Sequence, residues 1–261
     1  MASVRLAVDG QTDIGLFREE NEDCICHWED PDHPFAFVIL ADGMGGHRGG
    51  ARASAIATET IRKCLARLIS GDFLATPTRQ QEEAIRSNLL TAVCSANQLI
   101  LDAKQATPDH AQMGTTIVAA AIWRDFLVVA HVGDSRAYLW SEQGIQRLTR
   151  DDSYVQELID RGQLTEEEGR RSTLRNQITR ALGVTPEVTP SINSRRLTGY
   201  NLLLLCSDGL TDYLDDNSLE RILNSHRPAL TCTRRFIDEA NRMGGKDNIS
   251  AGMIEFQCEA V

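Results

Sequence analysis

Four of the acids that stand beside or one residue from a glycine also adjoin an apolar run, and three of them close it. Phe35-Ala36-Phe37-Val38-Ile39-Leu40 leads into Ala41-Asp42-Gly43. Phe126-Leu127-Val128-Val129-Ala130-His131-Val132 leads into Gly133-Asp134, and Leu202-Leu203-Leu204-Leu205-Cys206 into Ser207-Asp208-Gly209. Asp247 opens the last apolar run, Ile249 to Phe256. Carboxylates at strand ends sit at the rim of a sheet. Packed together they repel one another and hold their protons more tightly, unless a cation lies between them. Carboxylate oxygens without clustered His or Cys suit hard ions, Mg²⁺ or Mn²⁺ rather than zinc. Two such ions about 3.5–4 Å apart acidify a bridging water and clamp a phosphoryl group. That chemistry also calls for a planar cation to hold phosphate oxygens, and Arg18 is the candidate.

Other uses of these residues are weaker. Asp-Gly is a common turn pair. A dinucleotide fingerprint fails because Arg48 stands where its third glycine belongs, and no phosphate loop with Gly-Lys-Ser/Thr occurs. No Asp-x-Asp-x-Asp-Gly loop points to calcium.

The elements that must position these acids follow from periodicity. Val4 to Val8 and Cys24 to Trp28 read as strands, as do the three apolar runs. Ala51 to Ile69 and Gln80 to Ala103 carry apolar residues at helical spacing. Gly114 to Ala121 and Phe126 to Val132 read as adjacent strands, followed by a hairpin around Glu142-Gln143-Gly144. Val188 to Leu197 and Tyr200 to Cys206 read as a further strand pair. Leu219 to Leu223 and Thr231 to Met243 read as amphipathic helices. Asp151 to Gly183 is charged, with short helical patterns, and reads as a flap. The pattern predicts an α+β fold: a four-layer α-β-β-α sandwich of two mostly antiparallel sheets flanked by helix pairs.

Composition sets the outer bounds. The chain has 261 residues, a net charge of −10 and no Pro/Ser-rich linker, so residues 1–261 read as one domain. The negative balance argues against nucleic acid. The most apolar later region, Thr116 to Val132, is cut by Arg124-Asp125, which argues against a membrane span. The N-terminus lacks a signal-peptide pattern, and the seven cysteines are scattered and odd in number. These features place the protein in the cytoplasm, with reduced thiols.

Taken in order, the motifs resemble one family. They are Gly15-x-x-Arg18-x-x-Asn21-Glu22-Asp23, Asp42-Gly43-Met44-Gly45-Gly46-His47, Gly114-Thr115-Thr116 and Gly133-Asp134-Ser135-Arg136. Asn176-x-Ile178-Thr179-Arg180-Ala181-Leu182-Gly183, Ser207-Asp208-Gly209-Leu210 and Gly245-x-Asp247-Asn248-Ile249-Ser250 complete the set. The chain resembles the metal-dependent serine/threonine protein phosphatases of type 2C in their compact bacterial form.

The resemblance implies hydrolysis of phosphoserine and phosphothreonine on proteins. A hydroxide held between two Mn²⁺ or Mg²⁺ ions attacks phosphorus directly, with no phospho-enzyme. Asp42 would bridge the ions, Asp208 and Asp247 would complete one shell, and the Gly43 carbonyl would serve the other. Glu22 and Asp23 would lie in the first or second shell. Asp134, with Asp208, would hold a third ion, and Arg18 would bind the substrate phosphate. His47 is the second substrate-binding candidate, with simple packing as its other reading. The implied partners are phosphorylated proteins, with a serine/threonine kinase acting in opposition, and the chain reads as a monomer. Met44 and Asp152-Ser153 depart from members that carry histidine at the corresponding places. The alternatives are a catalytically silent phospho-binding regulator on the same fold, and a hydrolase of small phosphoesters.

Overall fold

The computed structural model describes residues 4–46, 49–106, 112–225 and 231–258. Two sheets stack face to face. One contains, in spatial order, β2 (Asp23–Glu29), β3 (Phe35–Met44), β5 (Ile117–Trp123), β6 (Phe126–Val132) and β9 (Ser191–Arg196). The two-residue β4 (Gly114–Thr115) pairs with the end of β3. The other sheet runs β1 (Val4–Asp13), β11 (Ile249–Cys258), β10 (Tyr200–Cys206), β7 (Arg136–Ser141) and β8 (Gly144–Arg147). Every strand pairing among the described residues is antiparallel.

The apolar runs are continuous because both faces of these strands are covered. Along β3, Phe35, Phe37, Ile39 and Ala41 face the helices α1 (Gly49–Ala66) and α3 (Thr78–Ala106). Ala36, Val38 and Leu40 alternate with them and face the other sheet. The same period of two divides β10: Leu202, Leu204 and Cys206 pack beneath α7 (Asp216–Ser225) and α8 (Cys232–Met243). Leu203 and Leu205 point into the space between the sheets. Three apolar cores thus separate four layers, and the expected α-β-β-α sandwich is present.

One expected pairing is wrong. Residues 188–197 and 200–206 read as a strand pair, but β9 pairs with β6 while β10 pairs with β11 and β7. The short link between them crosses from one sheet to the other. Leu197 is buried between the layers, and Gly199 adopts φ +67° at the corner. Alternation reports a strand's faces, not its neighbour, so a hairpin and a sheet-crossing corner look alike. The run Gly114 to Ala121 also breaks at Thr116, for a reason that lies in the site.

Segment 151–183 carries the short helices α4 (Tyr154–Asp160) and α5 (Glu166–Arg171). The second opens on a reciprocal cap: Thr165 accepts from the Glu168 N–H, and Glu168 accepts from the Thr165 N–H. Between β10 and α7 lies a one-turn helix, α6 (Asp208–Thr211).

Leu203 is 1% exposed and lies opposite Leu139 and Ile254 in neighbouring strands. Leu203→Ala leaves a void between two rigid sheets and is expected to cost about 2–5 kcal/mol. Urea unfolding checks this: the midpoint falls while the slope stays unchanged.

Candidate active site

Antiparallel register brings the acids together. Asp23 and Asp42 are paired across β2 and β3. Asp134 follows β6, Asp208 follows β10, and Asp247 precedes β11. Arg18, Glu22, Asp42, Gly43, Asp134, Asp208 and Asp247 line one cleft of about 280 Å³. Asp23 lies buried behind it. His47 lies outside the described residues.

Several of these acids are held by neighbouring groups. The Asp42 N–H donates to Thr116 Oγ1 at 3.0 Å, and the Thr116 N–H donates to the Asp42 carbonyl at 2.8 Å. That reciprocal pair explains the break between β4 and β5. Asp23 Oδ2 accepts from Ser207 Oγ at 2.9 Å and from Ser250 Oγ at 2.6 Å. Its other oxygen, Oδ1, is buried and accepts no hydrogen bond. Glu22 Oε1 accepts from the Gly50 N–H at 3.1 Å, at the start of α1. Asn248 Oδ1 accepts from the Glu22 N–H at 2.8 Å, and its Nδ2 donates to the carbonyls of Ile14 and Glu20. Arg18 stands half-exposed at the mouth, its Nη2 2.7 Å from Asp247 Oδ2.

Glycine is required where these segments meet. A Cβ on Gly43 would run into the main-chain carbonyls of Gly50 and Glu22. The loop before β2, the end of β3 and the start of α1 therefore converge at a point where no side chain fits.

Gathered this closely, the carboxyls hold protons abnormally well. Asp42 lies well above the usual carboxylate range because of burial first, then the charges of Asp23, Asp208, Asp134 and Asp247. Asp208 is raised by burial, then by Asp134 and Asp247. Asp134 is pushed to about 7 by burial and Asp151, although Arg136 opposes the shift. Asp23 reaches about 6, again through burial, with the two serine hydroxyls working against it. Glu22 is raised by burial, against the Gly50 N–H and Arg18.

Several wall residues carry no role in the sequence reading: Met44, Gly45, Gly46, Thr116, Asn176, Ile178 and Asn248. Their signal was membership of the ordered motifs, which does not by itself reveal a wall. Asp152 is the other surprise. It is buried, its Oδ2 accepts from the Gly133 N–H at 3.0 Å, and it pairs with Arg180 at 3.0 Å. The departure from histidine at this position supplies an anchor for the turn that carries Asp134.

The family profile for protein phosphatase 2C matches residues 18–248. The chain belongs to the protein phosphatase 2C family. It is 36% identical over 245 residues to the serine/threonine phosphatase stp of Listeria monocytogenes serotype 4b, covering 94% of each chain. Among solved structures, the Streptococcus agalactiae (S. agalactiae) serine/threonine phosphatase superposes with a TM-score of 0.83 at 34% identity, over 96% of this chain and 99% of that one. The catalytic domain of the serine/threonine protein phosphatase PstP, solved in complex with two manganese ions, gives 0.82 at 31% identity, over 98% and 100%.

The cleft of this protein phosphatase 2C member fits divalent cations. Its donors are carboxylate and main-chain oxygens, and Asp23 keeps a buried oxygen to which no amide or alcohol group donates. Among the described residues no three His, Cys, Asp or Glu side chains are grouped to hold an ion by themselves. An ion here therefore relies on water and main-chain oxygen as well, the usual habit of Mg²⁺.

A carboxyl with a raised folded pKa binds protons more tightly in the folded chain than in the unfolded one. Its stabilising contribution is full below about pH 4 and is lost as pH rises through its folded value. For Asp23 and Asp134 those values are about 6 and about 7. Metal-free protein should therefore lose Tm between pH 5 and 8 through these groups, and Mn²⁺ should restore more at pH 8 than at pH 5. Asp42→Asn should raise the metal-free Tm at pH 8 and shrink the Mn²⁺-induced rise. Calorimetry with and without chelator reads both effects.

Proposed function

We propose that this chain is a Mn²⁺- or Mg²⁺-dependent phosphatase acting on phosphoserine and phosphothreonine in proteins. The supporting observation is the convergence of Arg18 and the acids Asp42, Asp208 and Asp247 on one cleft. None of the acids in the motif set is missing, so no observation favours a silent phospho-binding role.

Phosphate-monoester hydrolysis is among the slowest uncatalysed reactions, so the site must stabilise charge heavily. Divalent ions supply Lewis acidity at the phosphate and ease deprotonation of a water. In our reading Asp42, Asp208, Asp247 and the Gly43 carbonyl would hold two ions, helped by Glu22 and Asp23 directly or through water, and Asp134 with Asp208 would hold a third. The Arg18 fork has N–H donors beyond the one facing Asp247, and these orient phosphoryl oxygens at the mouth. Met44 offers no proton, so the leaving alkoxide would take its proton from water or from His47.

Residues 1–261 are read as one catalytic domain with 151–183 as a flap, since Asn176 and Ile178 line the same cleft. An opposing serine/threonine kinase, a monomeric state and a cytoplasmic setting belong to the same proposal. No helix among the described residues is long and apolar enough to cross a membrane.

Phosphothreonine peptides assayed across added metals test the function. Turnover should need Mn²⁺ or Mg²⁺ and stop with chelator. Asp42→Ala and Asp208→Ala should lose nearly all kcat/KM, and Arg18→Ala about 10²-fold or more. Full turnover by Asp42→Ala would overturn the metal assignment.

A further inference from the structure

We infer that Leu16 and Phe17 form an apolar shelf that selects phosphorylation sites with a large apolar side chain close to the phosphorylated residue. The inference rests on the phosphatase reading and specifies the substrate class of that site. Leu16 is 65% exposed and Phe17 70% exposed, more than any other large apolar residue described. Isolated exposed apolar residues need no explanation, but these two are adjacent and immediately precede Arg18 at the mouth of the cleft.

The shelf is fixed to the site rather than loosely attached. The Leu16 N–H donates to the Gly245 carbonyl at 2.7 Å, and the Leu16 side chain lies over Gly245, where a Cβ would meet its Cγ at 2.9 Å. The Gly15 N–H donates to Asp13 Oδ1 at 2.9 Å, and Gly15 adopts φ +78°. A side chain at Gly15 would strike the Asp247 carbonyl. The Ile14 carbonyl accepts from Asn248 Nδ2 at 3.0 Å, and the same Asn248 holds the Glu22 N–H. One set of hydrogen bonds therefore positions the shelf, Asp247 and Glu22 together. Two apolar side chains are kept in water at a cost, and the Leu16 end is held in place, where binding loses little ordering entropy.

Reach decides the occupant. Neighbouring Cα atoms are about 3.8 Å apart, so Phe17 stands directly beside Arg18, and a peptide whose phosphate meets Arg18 carries its adjoining residues past the shelf. An apolar side chain there covers the shelf and leaves water. Glu19 and Glu20, exposed just beyond, disfavour an acidic neighbour.

A phosphothreonine peptide series tests this, with Leu stepped through two positions on either side of the phosphothreonine in an otherwise Ser background. Wild-type kcat/KM should be about 5- to 10-fold higher for the best Leu position than for the all-Ser peptide. Phe17→Ser and Leu16→Ser should bring that ratio close to one, and Phe17→Tyr should keep it. The all-Ser peptide reports folding and chemistry in every variant. Equal wild-type rates across the series would overturn the shelf and leave the phosphatase reading standing. No turnover of any peptide would overturn both. If Phe17→Ser keeps the ratio but changes the sedimentation of the protein, the patch is a contact between copies and the shelf is refuted.

Discussion

Mutual repulsion among carboxylates, crowded at one edge of two stacked sheets, sets the terms for this molecule. Asp42 and Asp208 are pushed toward protonation by burial and by the neighbouring aspartates, and Asp134 by burial and Asp151. Arg18, Arg136 and the two serine hydroxyls offset only part of that strain in the bare protein, so the rest must be borne by apolar cores some distance away. The two helix–sheet interfaces and the inter-sheet layer fill that role, with strands buried on both faces. Asp23 joins the halves: it belongs to β2 of one sheet, while its hydroxyl donors Ser207 and Ser250 flank or belong to strands of the other. The repelling groups are thus lashed to both sheets at once.

Main-chain packing fixes the centre of the cleft more than side-chain packing does. Thr116 grips Asp42 from both sides, and Gly43 sits where three segments leave no volume for a Cβ. Such a centre has few softer states available. That is a useful property for a site that must present oxygens to small, strongly hydrated ions.

Much of this was legible in the sequence, and the reasons differ from residue to residue. The runs before Asp42, Asp134 and Asp208 announce β3, β6 and β10, because strands covered on both faces read as unbroken apolar segments. The helical face from Ile85 to Ile100 likewise announces α3. The gathering of Asp42 with Asp208 and Asp247 was an inference from chemistry, since their closeness depends on pairing register. Glu22 and Asp23 came only from family resemblance; from charge alone their stretch reads as a solvated loop. The sheet change at Gly199 escaped notice because periodicity carries no record of which strand lies alongside. Asp152 reads in sequence only as a departure from histidine, with no sign that its carboxylate braces the Gly133 turn.

The excursion 151–183 is closed at its base like a stalk. Asp152 and Gly133 exchange a main-chain hydrogen bond, Tyr154 and Thr179 bond back across the neck, and Leu182 exchanges two with Thr115. Everything distal to that neck hangs from a ladder that is complete without it. The distal turns can therefore change in length or shape without breaking the bonds of the neck, much as an interchangeable head is fitted to one handle, while the oxygens at the bottom of the cleft keep their places.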